Sequence, residues 1–295
     1  MLPKMIVIEG TNASGKSALG VELALRFGGE IVSADSRQVY ERLDLGSGKI
    51  TEEEMRGVPH HLLNVRKPGE FFSMADFQRL SYQAVDGILA RGRLPFLVGG
   101  TGLYVDAVAD GYVLSDQAPD HALRTQLETL DTPALYERLK RLLPDTDIDP
   151  RNRHRVMRAL ERLAADDYHP GHKEPRYELL KLGVTWPREI LKQRIDERLA
   201  ARLEAGMVRE VQSLLDEGVS EEFLVKLGLE YKYLTWYLTG KIGYDQMVEE
   251  LGNAIKKFAK RQMTWFRRDP RIHWLAMDKD PIGEATGLIE VFLRE

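Results

Sequence analysis

Gly10, Thr11, Asn12, Ala13, Ser14, Gly15, Lys16 and Ser17 spell G-x-x-x-x-G-K-S, a spacing that does one kind of chemistry well. The glycines let successive backbone N–H groups converge on phosphate oxygens, and a following helix adds partial positive charge at its N-terminus. Lys16 is long enough to reach a terminal phosphate, and the Ser17 hydroxyl can ligate Mg²⁺. The motif says that a diphosphate or triphosphate is held here, without saying whose. Its context is the right one. An apolar strand-like run, residues 5–9, precedes it, and Leu19, Leu23 and Phe27 mark one face of a helix after it.

Other candidate residues group around that loop. Asp35 stands at the end of the next apolar run, where the carboxyl ends of strands form the ligand crevice of an open α/β sheet. A carboxylate there serves as a Mg²⁺ ligand, as a general base, or simply as a cap for the turn that follows. A further apolar run ends in Val98, Gly99, Gly100, Thr101 and Gly102. Glycines at this density permit close backbone approach to a ligand. Many P-loop enzymes place a metal-organising Asp at such a strand end. Gly99 occupies it here, which argues against ordinary ATP hydrolysis. Arg194 and Arg198, one helical turn apart, either clamp a phosphate or pair with Glu189, Asp196 or Glu197.

Two basic tracts interrupt a chain whose formal net charge is −4. Residues 256–268 contain six Lys or Arg and no acid. In residues 151–162, Arg151, Arg155, Arg158 and Arg162 repeat at helical spacing, flanked by Arg153 and His154, with Glu161 as the one acid. Such a stripe is either a solvated face or a grip on phosphates. The scarcity of compensating acids favours phosphates.

The elements that must position these residues follow from periodicity. Residues 1–111 alternate strand and helix, with strands expected at 5–9, 30–33 and 95–98. Residues 112–177 break the alternation with short charged helices near 120–130, 133–143 and 150–165, closed by the Pro/His/Gly-rich stretch 168–175. From residue 178 the pattern resumes. It reads as a strand at 178–185, a long amphipathic helix from Pro187 to about 217, further helices to 266, a last strand at 271–276 and a closing helix at 281–294. The expected fold is α/β, a P-loop NTPase-like parallel sheet flanked by helices. Its core domain is residues 1–111 and 178–295, with an all-helical insertion domain at 112–177.

Composition narrows the class. The 295 residues are 43% hydrophobic and 30% charged, as a soluble globular chain would be. There is no Cys, which removes disulfides, thiolate zinc sites and cysteine nucleophiles. No apolar run reaches the ~18 residues of a membrane span. A cytoplasmic location without membrane association is expected.

Taken in order, these pieces resemble the bacterial tRNA dimethylallyltransferases. The matching segments are the P-loop, then Asp35, Ser36, Arg37, Gln38, Val39 and Tyr40, then Gly57 to Leu62, and Phe72-Ser73 with Ala75, Asp76 and Phe77. They continue with Gly99 to Tyr104, Arg155-Val156 with Arg158 to Glu161, and Lys260, Arg261 and Gln262 with Thr264 to Arg267. The family's usual I-G-Y-K/R segment stands here as Gly228, Leu229, Glu230, Tyr231 and Lys232. The resemblance implies transfer of the dimethylallyl group from dimethylallyl diphosphate to N6 of adenosine 37 beside the tRNA anticodon. It implies that the P-loop holds the donor's diphosphate, with Mg²⁺ on Ser17. Lys16, Asp35 as base, Thr101, Arg194 and Arg198 are then the expected catalytic set. The expected tRNA contacts are Asp35, Ser36, Arg37, Gln38, Thr101, His154, Arg155, Arg158 and Lys232. The partners are the anticodon stem-loop and the donor, with a monomer expected. Two rival readings are an isopentenyltransferase acting on free adenine nucleotides and a small-molecule P-loop kinase. Neither needs the arginine ridge.

Overall fold

The computed structural model describes residues 2–114, 120–165, 168 and 172–295. Lys4–Gly10 form β1, an apolar strand buried on both faces, as a strand inside a parallel sheet must be. Gly15 turns the chain into α1 (Lys16–Phe27), and β2 (Gly29–Ala34) follows. A short α2 (Glu52–Met55) with a Thr51/Glu54 capping box precedes β3, which is only His60–His61. The helix α3 (Met74–Ala90) opens on a second capping box, Ser73 with Asp76. It leads to β4 (Leu94–Gly99) and α4 (Gly102–Ala109).

After a second unit, described below, β5 (Glu178–Thr185) returns to the sheet. Helices α8 (Arg188–Glu204), α9 (Met207–Asp216), α10 (Glu221–Leu227), α11 (Leu229–Leu238) and α12 (Tyr244–Phe266) then run to β6 (Ile272–Ala276) and α13 (Pro281–Arg294). The strands pair in the order β3-β2-β4-β1-β5-β6, all parallel. Ile6 lies opposite both Phe96 and Leu180, which fixes the register at the centre. One face buries Ile6, Ile8, Leu182 and Val184 with α1 and α13, and the other buries Met5, Val7 and Leu97 with α3 and α4.

Two expectations need correction. The long helix from Pro187 breaks into α8 and α9, because Gly206 adopts φ 105°, a left-handed conformation that an L side chain resists. The edge strand β3 has no apolar run to announce it. Its two histidines pair with Ile31 and Val32 of β2.

The chain divides into two compact units, 1–111 with 175–295, and 112–174. The second unit contains α5 (His121–Glu128), α6 (Thr132–Leu142) and α7 (Arg153–Ala164). Its own small core includes Leu127, Leu135, Leu139, Val156 and Leu160. Residues 169–171 of the expected closing stretch lie outside the described residues. Pro175, Arg176 and Tyr177, placed in the insertion by sequence, belong to the first unit, where the Tyr177 ring and the Arg176 guanidinium gather on Tyr82. Among the described residues no helix is long and apolar enough to cross a membrane.

Candidate active site

The strand order sets β1 between β4 and β5. The P-loop after β1, the Thr101 loop after β4 and the start of α8 after β5 are therefore neighbours, and the Asp35 loop after β2 adjoins them. Backbone and side-chain bonds tie the four together. Ser36 N–H donates to Thr101 Oγ1 at 3.2 Å. Trp186 Nε1 donates to Ser14 O at 2.9 Å, and Arg194 Nε to Ala13 O at 3.0 Å, with the Arg194 guanidinium 4.6 Å from the Trp186 ring centre. From α12, the buried Gln262 side chain accepts the Asn12 N–H at 3.0 Å and donates to Gly100 O at 2.7 Å.

The crevice between these loops is lined by Asn12, Ala13, Lys16, Ser17, Asp35, Arg37, Gln38, Arg198, Arg202 and Glu230, among others. An adjoining chamber shares Lys16, Ser17, Asp35 and Gln38 and adds an apolar wall of Ile31, Ile50 and Val98, with His60. Four cations face two carboxylates in the first crevice. That excess shows in the titration of its groups. Burial, and then Arg198, pull the Lys16 ammonium down to about 8. Burial and the neighbouring Arg202 pull Arg198 down to about 10. Both are buried cations crowded by other cations, a setting that a bound anion would relieve.

Asp35 is buried, and its Oδ1 accepts the Arg37 N–H at 2.9 Å. It therefore caps its own turn while lining both chambers. Arg37, which also lines the crevice, is engaged inside the protein. It is buried, pairs with Glu230 at 2.7 Å, and approaches Asp35 at 3.8 Å. Burial opposes its charge, but these two carboxylates outweigh it and hold the guanidinium above its ordinary range. Gln38 bridges Ser33 Oγ and Gly48 O. Lys232 lies over the Trp236 ring, 4.4 Å from its centre, and does not line the crevice.

Of the two candidate clamps, Arg198 faces the crevice and Arg194 braces the P-loop backbone. Neither takes the acids open to it in sequence. Glu189 pairs with Lys192, and Asp196 with Lys256. The glycines of 99–102 are packed tightly against protein. A β-carbon on Gly99 would meet Ala34 O at 2.1 Å, one on Gly100 the Gln262 amide at 2.9 Å, and one on Gly102 the Trp265 ring at 2.4 Å. No side chain, acidic or otherwise, fits at the end of β4.

The basic ridge is shorter and better compensated than its spacing suggests. Asp149 pairs with Arg151 at 3.0 Å and Asn152 caps α7, so Arg151 lies outside the helix. Arg158 and Arg124 both pair with the buried Glu161, at 3.1 and 3.0 Å. Arg153 donates to Leu130 O and Glu128 O. His154 and Arg155 remain exposed.

Residues 38–269 match the family model described as IPP transferase. The chain belongs to the IPP transferase family. The tRNA dimethylallyltransferase 1 of Geotalea daltonii is 43% identical over 98% of this chain and 96% of its own. The tRNA dimethylallyltransferase of Geobacillus thermodenitrificans is 40% identical over 99% and 96%. Among solved structures, the full-length tRNA isopentenylpyrophosphate transferase of Bacillus halodurans superposes with a TM-score of 0.75 at 37% identity, covering 97% of this chain and 96% of that one. A eukaryotic dimethylallyltransferase solved acting on tRNA reaches a TM-score of 0.83 at 26% identity, over 97% of this chain and 78% of that one. Within the IPP transferase fold, sequence reasoning missed Arg202, Glu230 and Gln262 as site-builders. Gln262 carried a signal, since it lies in the matched segment at 260–267.

Proposed function

We propose that this chain is a tRNA dimethylallyltransferase, moving the dimethylallyl group of dimethylallyl diphosphate to N6 of adenosine 37 in tRNA. The observation that carries the reading is the two-chambered crevice. A cationic half at the P-loop adjoins a half walled by Ile31, Ile50 and Val98, and Asp35 lines both. That division matches a substrate with a charged leaving group and a five-carbon apolar chain. A nucleoside triphosphate has no such tail.

The allylic C–O bond breaks and its electrons leave with the diphosphate. The P-loop amides, Lys16 and Arg198 neutralise the charge that builds there. The adenine N6 attacks the allylic carbon, and its proton passes to Asp35. The adenine has to leave its stack to reach this crevice, and Thr101, bonded to Ser36, holds the rim on that side. The Ser17 hydroxyl is an oxygen donor suited to Mg²⁺. Among the described residues no group of three His, Cys, Asp or Glu forms a metal cage, so the ion would share its shell with diphosphate oxygens and water. Bound there, Mg²⁺ would offset leaving-group charge. In the second unit, Arg155, His154 and Arg158 are the proposed grip on the anticodon stem-loop, through its phosphates.

Incubation with labelled dimethylallyl diphosphate, unmodified tRNA and, separately, AMP tests the reading. Label in tRNA alone supports it. Label in AMP alone, or none in either, refutes it. Asp35→Asn is expected to lower turnover at saturating donor by about 10²-fold or more, the usual contribution of a general base. Near-normal turnover would remove Asp35 from that role.

A further inference from the structure

The segment 228–232, where this chain departs from the usual I-G-Y-K/R, builds part of the crevice floor. Glu230 is 2% exposed, and its two oxygens face two guanidiniums: Oε2 holds Arg37 at 2.7 Å, and Oε1 lies 3.7 Å from Arg202 Nη1. The next residue, Tyr231, donates its hydroxyl to Glu210 Oε1 at 3.0 Å. Glu210 in turn accepts the backbone N–H groups of Asp44, Leu45 and Gly46 at 3.0, 2.6 and 3.0 Å. This nest fixes the loop that ends at Gly48.

Gly48 is where the two arginines of α8 meet. A β-carbon there would stand 1.5 Å from Arg202 Nη2 and 2.7 Å from Arg198 Nη2. Its φ of 61° is itself in the left-handed region. Arg198 donates to Gly48 O at 3.3 Å, while Arg202 has no hydrogen bond of its own to that carbonyl. Two guanidiniums one helical turn apart thus converge at one point of the crevice wall. Glu230, the carboxylate that ion-pairs with Arg202, is held at shorter range by Arg37. Arg202 is therefore oriented by an acid it shares with a closer cation, with its other nitrogen at the crevice.

We infer that Arg202, aimed by Glu230, is a second guanidinium on the leaving diphosphate beside Arg198, and that Glu230 is a positioning residue for it. This rests on the donor being an allylic diphosphate, and it assigns the terminal phosphate to the Arg198–Arg202 pair. Paired guanidiniums suit a phosphate better than one does, because each offers a planar fork of donors to separate oxygens.

Inorganic pyrophosphate with Mg²⁺ is the probe, titrated calorimetrically into the intact chain. Arg202→Met is expected to weaken pyrophosphate binding at least about tenfold, the loss of one charge-assisted hydrogen-bond pair. Arg202→Lys should fall between it and the parent, and tRNA affinity should be unchanged in both. Glu230→Gln separates aiming from bulk charge. It makes the crevice more positive, so a purely coulombic role for Glu230 predicts tighter pyrophosphate binding, whereas a positioning role predicts weaker binding. Tighter binding in Glu230→Gln, or binding within twofold of the parent in a folded Arg202→Met, overturns the inference. If the parent fails to prenylate tRNA, the functional reading fails, and weaker pyrophosphate binding in Arg202→Met then still shows Arg202 to be a pyrophosphate contact but no longer a contact to a leaving group. If it prenylates while Arg202→Met binds normally, only this assignment fails.

Discussion

Gln262 is the most economical place to test how the site is held together. It comes from α12, more than 240 residues along the chain from the P-loop. Its amide spans the gap between Asn12 N–H and Gly100 O, at 3.0 and 2.7 Å. Replacement by Leu keeps the volume and deletes both bonds. Each orphaned backbone group costs about 1–3 kcal/mol when buried. The crevice beside Asn12 admits water to one of them, so a loss of about 3 kcal/mol is expected. For a chain of this size that lowers Tm by roughly 5 °C. Because the freed amide, Asn12 N–H, belongs to the phosphate loop, donor KM should also rise, by about tenfold. Gln262→Glu adds a pH signature. When protonated, the carboxylic acid reproduces both bonds. When ionised, it faces the Gly100 carbonyl with like polarity, which raises its folded-state pKa above the unfolded value of about 4.3. Its stability should approach that of the parent near pH 4 and fall away as pH rises through the folded pKa. Thermal melts from pH 4 to 8 and donor kinetics report both effects. A Gln262→Leu protein within 1 °C of the parent in Tm, with unchanged KM, would refute the clasp.

Other outcomes follow from the same charges. Lys16 is pulled from 10.5 to about 8 in the fold. The folded state therefore carries a penalty that is full below pH 8 and fades toward pH 10.5. Lys16→Met should raise the stability of the ligand-free protein by about 2 kcal/mol at pH 7 while abolishing pyrophosphate binding, as urea unfolding and calorimetry would show. Glu9, buried at the end of β1, is pushed up from 4.5 to about 7 by burial, against the pull of Lys181. Its folded form binds a proton that the unfolded chain has released, so stability should fall between pH 4.5 and 7. Glu9→Gln should remove that fall, gaining about 2 kcal/mol at pH 8 and little at pH 4; equal gains at both would contradict it. Arg155→Ala should flatten the salt dependence of tRNA binding by about one unit of slope. Arg158→Ala should change it less, because Glu161 already engages that guanidinium.

What was legible in the sequence is what local pattern determines. The strand-loop-helix around residues 10–17, the strand at 178–185 and the closing helix need only periodicity, a glycine turn or a proline start. What escaped depends on partners distant in the chain. The two residues of β3 are a strand only because Ile31 and Val32 offer them an edge. The glycines at 99–102 read as room for a ligand until Ala34, Gln262 and Trp265 are seen to fill it. Arg37, read from sequence as a tRNA contact, also pairs with Glu230, 193 residues away, which no local pattern announces. The ridge at 151–162 also hides a pairing that its spacing does not show. Its one acid, Glu161, is so placed that it serves two arginines at once.

The pairing of β1 with β5 sets an order on biosynthesis. Lys4 lies opposite Glu178, and Gly10 opposite Val184. At ribosomal rates of about 5–20 residues per second, the partner of β1 emerges roughly 10–35 s after it. Until then one edge of the apolar strand that carries the P-loop has no neighbour. The strand β4 arrives sooner and covers the other edge. The residues 112–174, with their own core, can condense during the wait, which shortens the open stretch of chain that must close before β5 docks. The nascent sheet is thus half-finished at a central strand for much of translation. That interval is where a chaperone or an aggregation partner would find it.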